Sequence, residues 1–396
     1  MNRYAAALSQ HPSAVEAVAE CTGSLLERLD GARPDVVVLF MSEHYRDAAH
    51  DIADVIHKLV EPQTLIGTTA GMVAGHALEV EDGPALSVWA GCFGGGHARS
   101  LRLDAVPGPD GVRLDGWPDD LPASGTLILL ADPFTFPAGD FLELCNRKVS
   151  GLTVSGGLAS GARAPGGNVL LVDHDTYNRG AVGVLLDDAV PVWTAVSQGC
   201  RPIGRPFTVT SAERNVVREL GGKTPLERLQ EIADTAGDDE RALLRGGLHV
   251  GIVVDEHRAD FVRGDFLVRN VTGADPDTGA LAVGELVEVG QTLQFHVRDA
   301  DCAHEDLELV AAHALQGEGD PATAALLFTC NGRGSHLFGY PHHDAATLEQ
   351  LGDDALELAG MSCAGEIGPV GGRAFLHGFT ASMLLFGSEP PIRSLP

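Results

Sequence analysis

A pattern of strand, helix, short strand, glycine-rich turn and strand occurs three times along the chain, and it constrains the fold more than any other feature. The first copy runs from an apolar strand at 35–41 through a helix at 43–60 and a strand at 63–66. It then enters the turn Gly67-Thr68-Thr69-Ala70-Gly71, and a further strand follows at 85–93. The second has a strand at 126–130, a helix at 138–147 and a strand at 152–154. Its turn is Gly156-Gly157-Leu158-Ala159-Ser160-Gly161, and a strand pair follows at 168–172 and 180–186. The third has a strand at 324–329, the turn Asn331-Gly332-Arg333-Gly334, a helix at 344–353 and a strand at 358–360. The turn Ser362-Cys363-Ala364-Gly365-Glu366-Ile367-Gly368 and a strand at 377–386 complete it. In each copy about 30 residues separate the first strand from the glycine turn, the length of a β-α-β unit. Two readings stand: internal duplication, or the recurrence that any α/β chain shows.

The apolar run Val36-Val37-Val38-Leu39-Phe40-Met41 does not alternate, as expected for a strand covered on both faces. A helix is expected at 12–29, capped by Ser13. Between the second and third copies, 205–245 reads as helix-rich and polar, with Thr210 or Ser211 as an N-cap. Residues 248–300 read as an antiparallel set, and 306–314 as a helix. The acidic run Asp238-Asp239-Glu240 and the pair Gly246-Gly247 suggest a boundary near 246, giving domains of 1–245 and 247–396. The fold class is mixed α/β, with mixed sheets flanked by helices.

Charge excludes whole classes of partner. Among 396 residues, 55 are acidic and 27 basic, for a net charge of −28. Such a field repels phosphate backbones and anionic lipid, so neither nucleic acid nor a membrane surface is expected as a partner. No apolar run approaches the roughly 18 residues of a spanning helix, and the N-terminus lacks the apolar stretch of a signal peptide. Seven scattered cysteines without a C-x-x-C read as reduced thiols in a cytoplasmic protein, with no disulfide framework and no metal site.

Glycine-rich turns beside strands expose backbone N–H groups to anions and let a ligand approach the main chain. None of the three matches a phosphate-binding signature. Gly67–Gly71 fits G-x-T-x-G, and Gly360-Met361-Ser362-Cys363-Ala364 is one residue from G-x-S-x-G, so Thr69 and Ser362 are candidate nucleophiles. A triad needs an acid and a histidine in order, and only Glu366 and His377 follow Ser362. Cys330 and Cys363 end short strands beside glycine turns. Arg333 is near enough in sequence to Cys330 to activate it; the alternative is a pair of small buried hydrophobes. The sixteen histidines form no ligand motif; one in an apolar pocket can hold haem, and the sequence does not say which.

The two turns of the third copy are expected at the carboxyl ends of neighbouring strands, where ligand sites of open α/β sheets gather. Arg333 can clamp a carboxylate, and Glu366 can receive an amine or pair with Arg333. The candidate ligand site is therefore Asn331, Gly332, Arg333, Gly334, Cys363, Glu366 and Gly368, joined by Thr69, Gly71 and Gly157.

These residues carry a resemblance. Cys330-Asn331-Gly332-Arg333-Gly334 with Phe338, Ala364-Gly365-Glu366-Ile367-Gly368-Pro369 and His377-Gly378-Phe379-Thr380 resemble the C-terminal FIST domain. Arg269-Asn270-Val271 and Gly290-Gln291-Thr292-Leu293-Gln294-Phe295 with Arg298 resemble its start. Leu65–Gly71, Gly156–Ala159 and Ser197–Gly204 with Val209-Thr210 resemble the N-terminal FIST domain. The resemblance covers 34–386 and implies an intracellular sensory protein that binds a small molecule, amino acid-like or anionic. It also implies alternatives: a haem-binding nitric oxide sensor, or, from the nucleophile candidates, a hydrolase or thiol enzyme using Thr69, Ser362 or Cys363. No F-box, kinase or receptor segment is recognisable, so a separate signalling protein is the expected reader of the bound state.

Overall fold

The unbroken apolar runs of the sequence become strands covered on both faces. The computed structural model describes residues 2–108, 111–118, 120–149, 151–258, 260–316 and 321–388. By packing, these fall into a larger body (1–196, 307–376 and 380–396) and a smaller one (197–306 and 377–379). The division at 246 expected from sequence lies inside the smaller body, between a helix ending at Gly246 and a strand starting at Leu248.

The first repeat comprises β1 (Arg3–Ser9), α1 (Ala14–Leu29), β2 (Val36–Ser42), α2 (Ala49–Leu59), β3 (Thr64–Ala70), the hairpin β4 (Val73–Gly75) and β5 (Leu78–Val80), and β6 (Leu86–Cys92). The second comprises β7 (Ala98–Gly108), β8 (Gly111–Asp115), β9 (Ser124–Ala131), α3 (Ala138–Lys148), β10 (Gly151–Leu158), the hairpin β11 (Leu170–Val172) and β12 (Asp175–Tyr177), and β13 (Ala181–Leu186). The third opens with β14 (Val192–Gln198), after which the smaller body intervenes in the chain. That body holds β15 (Cys200–Glu213), β16 (Val216–Leu220), α4 (Pro225–Thr235), α5 (Asp238–Gly246), β17 (Leu248–Val253), β18 (Phe266–Ala274), β19 (Leu281–Val283) and β20 (Thr292–Arg298). The third repeat resumes with α6 (Ala300–Gln316), β21 (Ala324–Cys330), α7 (Ser335–Phe338), α8 (His343–Leu351), β22 (Glu357–Cys363), the hairpin β23 (Glu366–Val370) and β24 (Arg373–His377), and β25 (Thr380–Phe386).

The repeats are interlocked by exchange of their hairpins. The three sheets run β1-β6-β2-β3-β11-β12, β24-β23-β10-β9-β13-β7-β8 and β14-β25-β21-β22-β4-β5. Each contains four strands of one repeat in the same order, completed by the hairpin of another; the second sheet carries β8 as an additional edge strand. Equivalent backbone bonds fix the exchange: Thr69 N donates to Val169 O (3.1 Å), Leu158 N to Gly365 O (2.9 Å) and Ser362 N to Met72 O (3.0 Å). The structure thus favours the duplication reading over chance recurrence.

Inner faces of the three sheets share one core. Val38 and Phe40, Ile128 and Leu130, and Leu326 and Phe328 all belong to it, and Phe40 meets Phe328 edge-on at 5.9 Å. The alternate residues Val37, Leu39 and Met41 pack instead with Ala17 and Leu25 of α1 and Ile52 and Ile56 of α2. Two buried faces explain the absence of alternation.

Several glycines that read as turns from the sequence lie inside strands. Gly67, Gly156 and Gly360 occupy equivalent places, opposite Leu39, Leu129 and Leu327. A Cβ on each would stand 2.7, 2.0 and 2.5 Å from the carbonyl oxygen of that leucine. They are glycine because the neighbouring backbone fills the side-chain space.

The smaller body closes as a barrel in the order β15-β16-β19-β18-β17-β20. The antiparallel set expected over 248–300 is present, but the helix-rich reading of 205–245 holds only from Pro225 onward. Residues up to Leu220 form β15 and β16. The helical N-cap is neither Thr210 nor Ser211 but Thr224, which forms a capping box with Glu227. The misleading signal is the polarity of strands with one exposed face: β15 is mostly exposed or half-buried beyond Ile203. No helix among the described residues is long and apolar enough to cross a membrane.

The repeat equivalence has a direct test. G67A and G360A should each lower unfolding free energy by about 1–3 kcal/mol by overpacking. G156A, with φ +143° as well as the shortest clash, should cost more. Urea unfolding of the three variants measures the order; a cost below that of an exposed-glycine control such as G23A would break the equivalence.

Candidate functional site

The turn after β21 is set by local chemistry. Arg333 N donates to Cys330 O (2.8 Å), and Asn331 N reaches Cys363 O on β22 (3.1 Å). Gly334 has φ +63° and ψ −150°, and a Cβ there would lie 2.7 Å from a Glu81 carboxylate oxygen. That carboxylate accepts from Ser335 N (2.7 Å) and from the Ser335 hydroxyl.

Behind the turn lies a fully buried ion pair. Arg333 Nε donates to Asp344 Oδ2 (2.7 Å) and Nη2 to Asp344 Oδ1 (2.8 Å), with both side chains wholly excluded from solvent. Asp344 also accepts from Thr329 Oγ1 (2.6 Å) and pairs with His343 Nδ1 (2.8 Å). The Phe338 ring covers the guanidinium at 5.2 Å, and the His343 ring stacks on Phe338. Burial alone would raise the Asp344 carboxyl, but the Arg333 charge and these hydrogen bonds hold it well below the usual carboxylate range.

Two further buried carboxyls flank the pair. Glu79 accepts from Ala345 N (3.0 Å), and its other oxygen has no hydrogen-bond partner among the described residues. Burial and then repulsion from Asp344 push it up to about 8. Glu366 accepts from Thr380 N (3.1 Å) and Oγ1 (2.9 Å). Burial likewise pushes it up to about 8, against the lowering effect of Thr380, Arg333 and the Cys330 thiol. Both are protonated in most molecules at neutral pH.

In front of the turn is a cavity of about 460 Å³ at the carboxyl ends of the strands. All three repeats meet there through one hydrogen-bond chain. Gly71 N donates to Ser160 Oγ (2.9 Å), Ser160 Oγ to Ser362 O (2.5 Å), and Met72 N to Ser362 Oγ (3.0 Å). Asn331, His336 and Arg163 line the opening and are exposed. Arg163 forms no ion pair or hydrogen bond with another described residue.

The sequence-derived candidates separate into two groups. Gly71, Asn331, Arg333 and Gly334 line the cavity, and Gly332 sits in the same turn with its N–H on Cys330 Sγ (3.4 Å). Thr69, Gly157, Cys363, Glu366 and Gly368 lie in the wall behind it. Thr69 Oγ1 accepts from Val169 N (3.0 Å). A Cβ on Gly157 would meet Cys363 Sγ at 2.2 Å, and one on Gly368 would meet Ser382 and Val196 side chains. Arg333 is not paired with Glu366, as one sequence reading had it: the buried carboxylate opposite its fork is Asp344. Nor is it free to activate Cys330 as an open cation. The Thr69 and Ser362 hydroxyls are held by backbone amides.

Arg163, Ser160, Glu81 and Asp344 were not singled out from the sequence. Arg163 stands two residues beyond the second glycine turn, the one signal that pointed to it. Asp344 comes from a helix with no motif.

A family model for the FIST N domain matches residues 35–223, and one for the FIST C domain matches 225–369. The chain belongs to the FIST family. An uncharacterized protein of Mycobacterium tuberculosis is 46% identical over 385 residues, covering 97% of this chain and 99% of its own. An uncharacterized protein of Mycobacterium bovis is 44% identical over 377 residues, covering 95% and 96%. FIST domains are generally associated with small-ligand-binding sensory roles. Both FIST modules supply the cavity: Gly71, Ser160 and Arg163 fall in the N match, and Asn331, Gly334 and Ser362 in the C match.

Removing one partner of the buried pair leaves the other uncompensated. R333A should cost about 3–5 kcal/mol in urea unfolding, and the double variant R333M/D344L should recover much of it. A cost below about 1 kcal/mol would show the pair to be solvated. The raised carboxyls give a pH signature. A folded-state value of about 8 against 4.5 unfolded means that the folded chain holds extra protons between those values. Stability from this source is full below about pH 4.5 and is lost as pH rises toward 8. Buried His249 and His296, both lowered to about 4, act in the opposite sense over part of that window. The difference between variant and wild type isolates Glu79. The melting temperature of E79Q relative to wild type should rise between about pH 5.5 and pH 8.5; a constant difference would contradict the buried-acid assignment.

Proposed function

We propose that this FIST protein is a ligand-binding sensory protein whose cavity receives a small amino acid-like carboxylate. The carrying observation is Arg163: a guanidinium at the cavity with no carboxylate partner among the described residues, in a chain of net charge −28. In so acidic a protein, an unneutralised arginine beside a cavity is suited to an anionic ligand group, which it can hold through two parallel N–H bonds. Glu81, which also lines the cavity, retains acceptor capacity beyond its two bonds to Ser335, and suits an ammonium group. Asn331 and the serine pair supply neutral polar contacts. The buried Arg333–Asp344 pair is assigned the positioning of the 330–334 turn rather than contact with ligand. A separate partner protein reads the bound state.

Haem, the alternative that the resemblance implies, fits these residues poorly. His336 and Cys330 are axial-ligand types and line the cavity. A macrocycle also needs apolar faces, and the remaining lining is largely glycine, serine, asparagine, glutamate and arginine, with Met72, Pro133 and Phe134 the larger apolar groups.

The test is a thermal-shift screen of amino acids and dicarboxylic acids, followed by calorimetry on the best of them. Loss of a charge-assisted pair worth roughly 1.5–3 kcal/mol should weaken binding of R163A by about 10–100-fold with its unliganded melting temperature unchanged. Equal affinity in wild type and R163A would remove the anionic-anchor assignment.

A further inference from the structure

Cys330 and Cys363 are directly opposite each other on the parallel strands β21 and β22. Adjacent strands lie about 4.8 Å apart, within the roughly 4.4–6.8 Å between Cα atoms that a disulfide spans. Register-paired residues of a parallel ladder point to the same face, and Cys363 continues the inner face of Met361 as Cys330 continues that of Phe328. The two sulfurs differ in access. Cys330 is partly exposed and lines the cavity, whereas Cys363 is 1% exposed. A buried carboxyl completes the group: the Cys330 thiol is a hydrogen-bond partner of Glu366, and the Glu366 charge also acts on Cys363. Gly157 leaves the far side of the Cys363 sulfur open to bare backbone. None of the other five cysteines has this arrangement, and all five are buried.

We propose that Cys330 and Cys363 form a peroxide-reactive site, with Cys330 as the attacking thiol, Cys363 as the resolving thiol and Glu366 as the proton acceptor. In the molecules whose Glu366 is ionised, a fraction that grows as pH rises toward 8, the Cys330 thiol gives its proton to the Glu366 carboxylate, and its sulfur attacks one oxygen of hydrogen peroxide. The O–O bond breaks, the departing hydroxide takes the proton back from Glu366 as water, and Cys330 becomes a sulfenic acid. Cys363 sulfur then attacks Cys330 sulfur, the S–O bond breaks, and hydroxide leaves with the Cys363 proton as a second water. Two thiols are oxidised and one peroxide is reduced to two waters. Burial raises the Cys363 thiol well above its ordinary value, so the second step relies on the adjacent carboxylate and on the absence of competing water. A bond joining β21 to β22 would also fix the turn beginning at Asn331. The cavity serves here only as the entrance for peroxide, so the inference stands independently of the carboxylate-ligand reading.

The full-length protein is treated with hydrogen peroxide and analysed by alkylation, intact mass and peptide mapping. Wild type should lose two alkylatable thiols and two hydrogens, and yield a Cys330–Cys363 crosslink reversible by dithiothreitol. C363S should instead accumulate a sulfenic acid at Cys330 that dimedone traps, and C330S should react at least tenfold more slowly. E366Q, which keeps both thiols, should slow the reaction and flatten its dependence on pH. Far-UV circular dichroism and melting temperature establish that each variant is folded. A wild-type protein that retains all seven thiols under peroxide overturns the proposal. So does a crosslink through other cysteines, or a C330S variant oxidised as fast as wild type.

Discussion

Two opposite charges with no access to water must satisfy each other, and the Arg333–Asp344 pair makes that demand on the whole third repeat. Arg333 lies on the turn after β21, Asp344 in the first turn of α8, and Thr329 at the end of β21, and all three meet within hydrogen-bond distance. The geometry is met only if strand, turn and helix hold fixed positions, since an unpaired buried charge costs several kcal/mol. Phe338 and His343 close over the pair. The surrounding acids adapt to it: Glu79 is held largely neutral by its burial and then by repulsion from Asp344, and Glu366 by its burial. The turn that forms one wall of the cavity is rigid because of what is sealed behind it.

The other walls come from symmetry of construction. Each repeat gives its hairpin to another repeat's sheet, so the ends of β3, β10 and β22 are brought together by the same three backbone bonds. Glycine at 67, 156 and 360 permits the strand pairs to approach. Past these points the repeats diverge, and the divergence makes the site. The equivalent stretches carry Gly71, Ser160 and Ala364, and the hydroxyls of Ser160 and Ser362 join all three.

Much of this was legible from residue order. Unbroken apolar runs marked the central strands, their spacing marked the repeats, and the carboxyl-end rule placed the turns at 331–334 and 362–368 side by side. What escaped depends on long-range partners. The hairpin strands 73–75 and 78–80 are three residues each, too short to show a period, and the first of them pairs with a strand nearly three hundred positions away. Strands 200–213 and 216–220 read as polar because much of their surface faces water. The position of Arg333 beside Glu366 in a glycine-rich motif suggested a bridge between them. The actual partner, Asp344, sits on a helix whose sequence carries no sign of it. Arg163 was invisible for the same reason: its significance is the absence of a neighbouring carboxylate, which only folding reveals.

The central claim is that one ligand touches segments of all three repeats at once. Hydrogen–deuterium exchange of the full chain tests it, with and without a saturating concentration of the small carboxylate that most raises its melting temperature. Protection should appear together at 70–72, 160–164 and 331–336, with little change in the barrel strands between 200 and 298. Protection confined to one of these segments, or found in the barrel instead, would contradict the account.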